Sequence, residues 1–81
     1  MSRSLTIADL RPGAMARIQA VDVASDVVFR LMELGLVPGA TIEMQQCAPF
    51  GDPMCLRVGS ARLSLRRREA GCFRVEVGHL P

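Results

Sequence analysis

Residues 30–39, RLMELGLVPG, constrain this chain more than any other stretch, because they read as the end of a helix followed at once by a tight turn. Leu31 and Leu34 continue an apolar spacing that begins at Val27, the i, i+4, i+7 pattern that lines one face of a helix. Gly35 stops that helix. A glycine past the last periodic residue takes positive φ at no steric cost, and Leu36 is placed to fold back as the apolar contact that accompanies such a cap. Pro38 and Gly39 then suit a type II turn, proline presetting φ at the first central position and glycine accepting the positive φ of the second. A strand is expected to leave at Ala40.

Around this pivot the chain falls into short segments of period two. Residues 5–10 offer one turn of helix, capped by Ser4 or Thr6 and seated by Leu5, Ile7 and Leu10, before Arg11, Pro12 and Gly13 break it. Ala16, Ile18 and Ala20 alternate with Met15, Arg17 and Gln19, which makes residues 14–21 the first strand. Asp22 and Ser25 are candidate caps for the helix that follows, and Asp26 suits the positive end of its dipole. Beyond the turn, Ile42 and Met44 alternate with Thr41, Glu43 and Gln45 in a second strand. Residues 48–53, APFGDP, hold two prolines that cannot donate to a ladder, so they read as a hairpin loop. Met54, Leu56 and Val58 mark a third strand, Gly59 and Ser60 a tight connection, and Ala61, Leu63 and Leu65 a fourth strand. Residues 66–71 look like one polar turn of helix, and Phe73, Val75 and Val77 give the fifth strand.

Five short strands with one helix inserted between the first and second imply a mainly β fold, a small antiparallel sheet bent into a barrel, because a flat sheet this size could not bury its apolar face. The 81 residues read as one domain without repeat or linker. A chain of that length buries only about 60 to 65% of its unfolded surface, and its core contributes roughly 3 to 5 kcal/mol net, so single apolar positions matter.

Composition excludes several classes. No run of apolar residues is long enough to span a bilayer, and the opening MSRSLTIADL lacks the apolar stretch of a secretory signal, so membrane insertion is not expected. Three cysteines, with no CxxC pair, fit neither a disulfide scaffold nor a zinc finger, and a reducing cytoplasm is the simplest location. All ten basic residues are arginines and the net charge is only +2; with no Trp or Tyr and three Phe, stacking platforms for nucleic acid are lacking. There is no GxSxG elbow, HExxH helix or phosphate loop, and the single histidine, His79, stands two residues from the end. Neither catalysis nor a cofactor is expected.

Four motifs in order resemble one known family. LRPG at residues 10–13 with ARI at 16–18, RLMELGLVPGATIEM at 30–44, APFGDP at 48–53 and LSLRRREA at 63–70 are similar to the FeoA proteins, small cytosolic partners of the ferrous iron transporter FeoB. The resemblance implies an SH3-like barrel, also found as the C-terminal domain of iron-dependent repressors, and a module that binds protein, acting on the cytosolic GTP-binding part of FeoB. A stand-alone metal-responsive regulatory module is the alternative, since fold alone does not settle function.

Two groups of residues remain as candidate sites. Leu31, Leu34 and Leu36 read as core, whereas Phe29 and Met32 fall off that stripe and are expected to be exposed beside Arg30 and Glu33. The helix from about Asp26 to Leu34 and the turn after it are therefore the expected partner surface, with Arg30 and Glu33 as its polar rim and Met32 as its apolar contact. The run Arg66, Arg67, Arg68 reads either as a solvated turn or as the rim of an interface. If the hairpin pairs Ala48 with Met54, then Cys47 lies opposite Cys55 and Gln45 opposite Arg57. Two neighbouring thiols are half of a tetrahedral zinc site, which His79 or a second molecule could complete as a weak or metal-bridged homodimer, but two ligands do not make a dedicated site. The plain alternative is a pair of small apolar side chains without function.

Overall fold

The computed structural model describes residues 5–77. Strand β1 (Leu5–Thr6) leads through a 3-10 turn (Ile7–Asp9) to β2 (Met15–Val21), helix α1 (Asp26–Glu33), β3 (Thr41–Cys47), β4 (Met54–Val58), β5 (Ala61–Leu65), helix α2 (Arg67–Ala70) and β6 (Phe73–Glu76). All six strands form one antiparallel sheet in the order β1-β6-β2-β3-β4-β5. Five of them match the period-two segments. The sixth, β1, lies where one turn of helix was expected, and the helical part is only the 3-10 turn after it. Thr6 caps that turn, its backbone N–H donating to Asp9 Oδ2 at 2.9 Å.

Inward-facing residues of every long strand meet in a single core: Ala16 and Ile18 from β2, Ile42 and Met44 from β3, Met54, Leu56 and Val58 from β4, Leu63 and Leu65 from β5, Phe73 and Val75 from β6. Val28 and Leu31 of α1, Leu36 after it, and Ala70 of α2 close the same core. Polar and charged side chains are absent from the buried set among the described residues, so its stabilisation comes from apolar burial, roughly 25 cal/mol per Å² removed from water.

The pivot is built as its residues dictate. Ser25 caps α1, its Oγ accepting from Val28 N–H at 3.2 Å. At the other end Gly35 adopts φ +120°, and Leu36 N–H donates to Leu31 O (3.1 Å) while Gly35 N–H donates to Met32 O (3.0 Å). These are the two bonds of a Schellman cap, and its apolar clasp is the buried pair Leu31 and Leu36. Ala40 N–H then donates to Val37 O at 3.0 Å with Gly39 at φ +94°, the glycine position of a type II turn. Gly39 N–H and Ile18 O, with Ile18 N–H and Ala40 O, tie this turn to β2 at 2.7 and 2.9 Å.

The β3–β4 hairpin departs from the expected register. Met44 pairs with Leu56, but Gln46 pairs with Cys55 and Cys47 with Met54, because a bulge at Gln45 adds one residue to β3. Cys47 therefore does not face Cys55 across the ladder, and Arg57 faces Glu43 in place of Gln45. Arg57 Nη2 donates to Glu43 Oε1 at 2.8 Å.

Candidate partner surface

Helix α1 sets the geometry of the surface through its 3.6-residue period. Val28 and Leu31 point into the core, so residues about 70 to 90° away on the helical wheel lie at its margins and those opposite face solvent. Arg30 and Glu33 are exposed, as expected. Met32 is not: it is half-buried and packs against the core. Phe29 is exposed as expected (55%), and Val27 (48%) and Leu34 (51%) join it in place of Met32, with Val23 and Val37 just outside the helix. The stripe 27, 31, 34 is thus real as a spacing but wrong as a core face. Only its middle residue is buried; Leu34 has already left the helix as its C-cap.

Val27, Arg30 and Leu34 stand at i, i+3 and i+7, one above another on one shoulder of α1, while Phe29 and Glu33 stand at i and i+4 on the other. Each shoulder therefore pairs apolar area with one charge, Arg30 on one and Glu33 on the other.

The arginine run has a different role from both readings of the sequence. Arg67 Nη1 donates to Ala8 O (2.7 Å) and its Nε to Gly51 O (3.3 Å), while its backbone N–H donates to Asp52 Oδ1 (3.0 Å). One side chain thereby ties α2 to the 3-10 turn and to the hairpin loop, 59 and 16 residues away in sequence. The loop it fixes carries Phe50, 95% exposed. Arg66 and Arg68 are exposed. No spacing rule finds such a clamp, because its acceptors are backbone carbonyls that any sequence supplies.

Cys55 and Cys72 are half-buried free thiols. His79 lies outside the described residues, among which no cluster of three or more His, Cys, Asp or Glu side chains could hold a metal. No helix among them is long and apolar enough to cross a membrane.

A six-stranded antiparallel sheet with a helix between its second and third strands, whose exposed side carries both charged and apolar side chains, defines a small β module. The chain belongs to the FeoA family, whose domain model matches residues 5–77. It is 36% identical over 73 residues to the Fe(2+) transport protein A/Fe(2+) transporter FeoB fusion protein of Porphyromonas gingivalis, spanning 90% of this chain and 9% of that one. Iron(II) transport protein A from Clostridium thermocellum superposes at a TM-score of 0.83 with 40% identity, over 90% of this chain and 45% of that one. FeoA of Stenotrophomonas maltophilia, an SH3-domain protein whose structure is complexed with zinc, gives 0.77 and 34% over 89% of each chain. The fold is accordingly SH3-like. A manganese-dependent transcriptional repressor shares that fold at a TM-score of 0.79 with 14% identity, over 95% of this chain and 43% of the repressor.

Proposed function

We propose that this chain is a non-enzymatic accessory protein of ferrous iron uptake, cytoplasmic, acting by contact with the cytosolic part of a FeoB-like membrane transporter. The observation that carries this reading is the P. gingivalis fusion, in which a FeoA relative and a FeoB transporter are one polypeptide. Covalent tethering raises the effective concentration of two modules that act together, to about the millimolar range for a short linker. In this reading α1 is the docking element. Arg30 and Glu33 form its charged rim, Phe29, Val27 and Leu34 supply the apolar area, and the solvent-facing part of Met32 continues the patch beside Phe29.

The regulatory alternative rests on fold likeness to a repressor at 14% identity, which carries no residue-level argument. A metal-bridged homodimer loses its main support with the hairpin register, since Cys47 and Cys55 are not directly opposed.

The test is binding of the intact chain to the purified GTP-binding domain of the FeoB protein from the same source, by biolayer interferometry. Arg30→Glu and Phe29→Ser should each weaken binding while leaving thermal unfolding unchanged, as expected at exposed positions. Absence of binding by the parent chain, or binding that neither variant alters, would overturn the proposal.

A further inference from the structure

Strand β5 ends the sheet and pairs with β4 on one side only. Its other edge offers a row of ladder groups with no strand against them among the described residues, the arrangement on which an extended peptide can add. Leu63 and Leu65 point into the core and Arg62 and Ser64 point out, so a chain lying along β5 meets those two side chains first.

Two cross-strand rows end at this edge. In one, Glu43, Arg57 and Arg62 stand side by side across β3, β4 and β5. Glu43 and Arg57 satisfy each other at 2.8 Å, whereas Arg62 faces the like charge of Arg57 and takes part in no ion pair among the described residues. Like charges directly opposite are destabilising, and a carboxylate on the next strand position would relieve the pair. In the other row Gln46, Cys55 and Ser64 line a shallow cleft of about 230 Å³, completed by Ala48 and Pro53. That is the volume of several water molecules, and its neighbours Cys55, Ala48 and Pro53 suit an apolar side chain better than a charge.

We infer that β5 is a docking edge for an extended acidic segment of a partner protein, which adds as a seventh strand. The segment carries a carboxylate beside Arg62 and an apolar side chain two residues away over the cleft, since residues i and i+2 of a strand share one face. A second copy of this chain is a poor occupant. Two β5 edges meeting would set Arg62 of one copy near Arg62 of the other, adding to the repulsion already present with Arg57. The inference uses none of the α1 residues and stands whether or not α1 meets a transporter.

The experiment is a titration of the isotope-labelled intact chain with the peptide acetyl-STETVTS-amide, followed by amide chemical shifts, at peptide concentrations up to about 5 mM, the range for a weak single-strand contact. Shifts should concentrate at residues 61–65 and at Cys55, with slower hydrogen exchange at the β5 amides that point away from β4. The same peptide with Glu→Lys should bind about two- to fivefold more weakly, the size of one exposed ion pair. Arg62→Glu, an exposed change that places opposite charges on Arg57 and position 62, should keep the fold and reverse the preference between the two peptides. Absence of shifts along β5, or an unchanged preference in Arg62→Glu, would refute the inference. So would concentration-dependent shifts of β5 without peptide, which would assign the edge to a second copy.

Discussion

Replacing Gly35 by alanine isolates the backbone from everything else at the pivot. The glycine holds φ at +120°, and a Cβ built there would sit 3.6 Å from Val58 Cγ1, an ordinary contact, so the substitution adds strain without a clash. A non-glycine residue in that region costs about 1 to 3 kcal/mol. Against this, alanine restricts the unfolded chain and returns about 0.4 to 1 kcal/mol. Taking the middle of each range, the net loss is about 1.3 kcal/mol, and since each kcal/mol moves the midpoint of a domain this size by about 4 to 8 °C, Tm should fall by roughly 5 to 10 °C. Gly35→Val should fall further, because β-branching tightens the restriction and its γ carbons approach Val58. Far-UV circular dichroism on heating, with urea unfolding at constant m-value, measures both. D-alanine at position 35, introduced by chemical synthesis, should restore or exceed parental stability, because positive φ is the favoured region for a D-residue. If L-alanine leaves Tm unchanged, or D-alanine is no better than L-alanine, the cap does not depend on positive φ and the reasoning is wrong.

The remaining predictions concern the helix face and the clamp. Leu31→Ser should cost about 2 to 4 kcal/mol as a truncated core residue made polar, and Leu34→Ser less than about 0.5 kcal/mol, although the two are three residues apart in one apolar pattern; equal losses in urea unfolding would put Leu34 in the core after all. Arg67→Met removes both side-chain bonds to carbonyls and should cost about 1 to 2 kcal/mol, held to the low end because the site is exposed. Its more specific effect is faster cleavage of residues 48–53 by a protease of broad specificity, and unchanged cleavage there would show that the loop is held by its own turn.

Much of this architecture is legible from residue types because it depends on local rules. Gly35, Pro38 and Gly39 specify the cap and turn through φ alone, and period two places Ile42, Met44, Leu56 and Val58 inward without knowledge of their neighbours. What fails depends on partners elsewhere in the chain. The α1 apolar pattern admits two faces, one through Val27, Leu31 and Leu34 and one through Val28 and Leu31, and packing against the sheet selects the second. The bulge is invisible because it falls in the polar pair Gln45 and Gln46, where an extra residue breaks no hydrophobic alternation. Strand β1 has only two residues, too few for any period, and exists because β6 is there to pair with it. Among the candidate site residues, Arg30 and Glu33 are correctly placed outside, whereas Met32 is drawn against the core by the same choice of helix face.

The pairing of β1 with β6 has a consequence for how the module can be joined to something else. Leu5 lies directly across from Val75, so the two ends of the folded unit sit on neighbouring, oppositely running strands. At that pair the two strands lie one strand spacing, about 5 Å, apart. In a fused polypeptide, attachment through β1 or through β6 would differ at the Leu5–Val75 pair by about that distance. The closeness of the two outermost strands in sequence order makes the reach of a linker similar whether it joins β1 or β6.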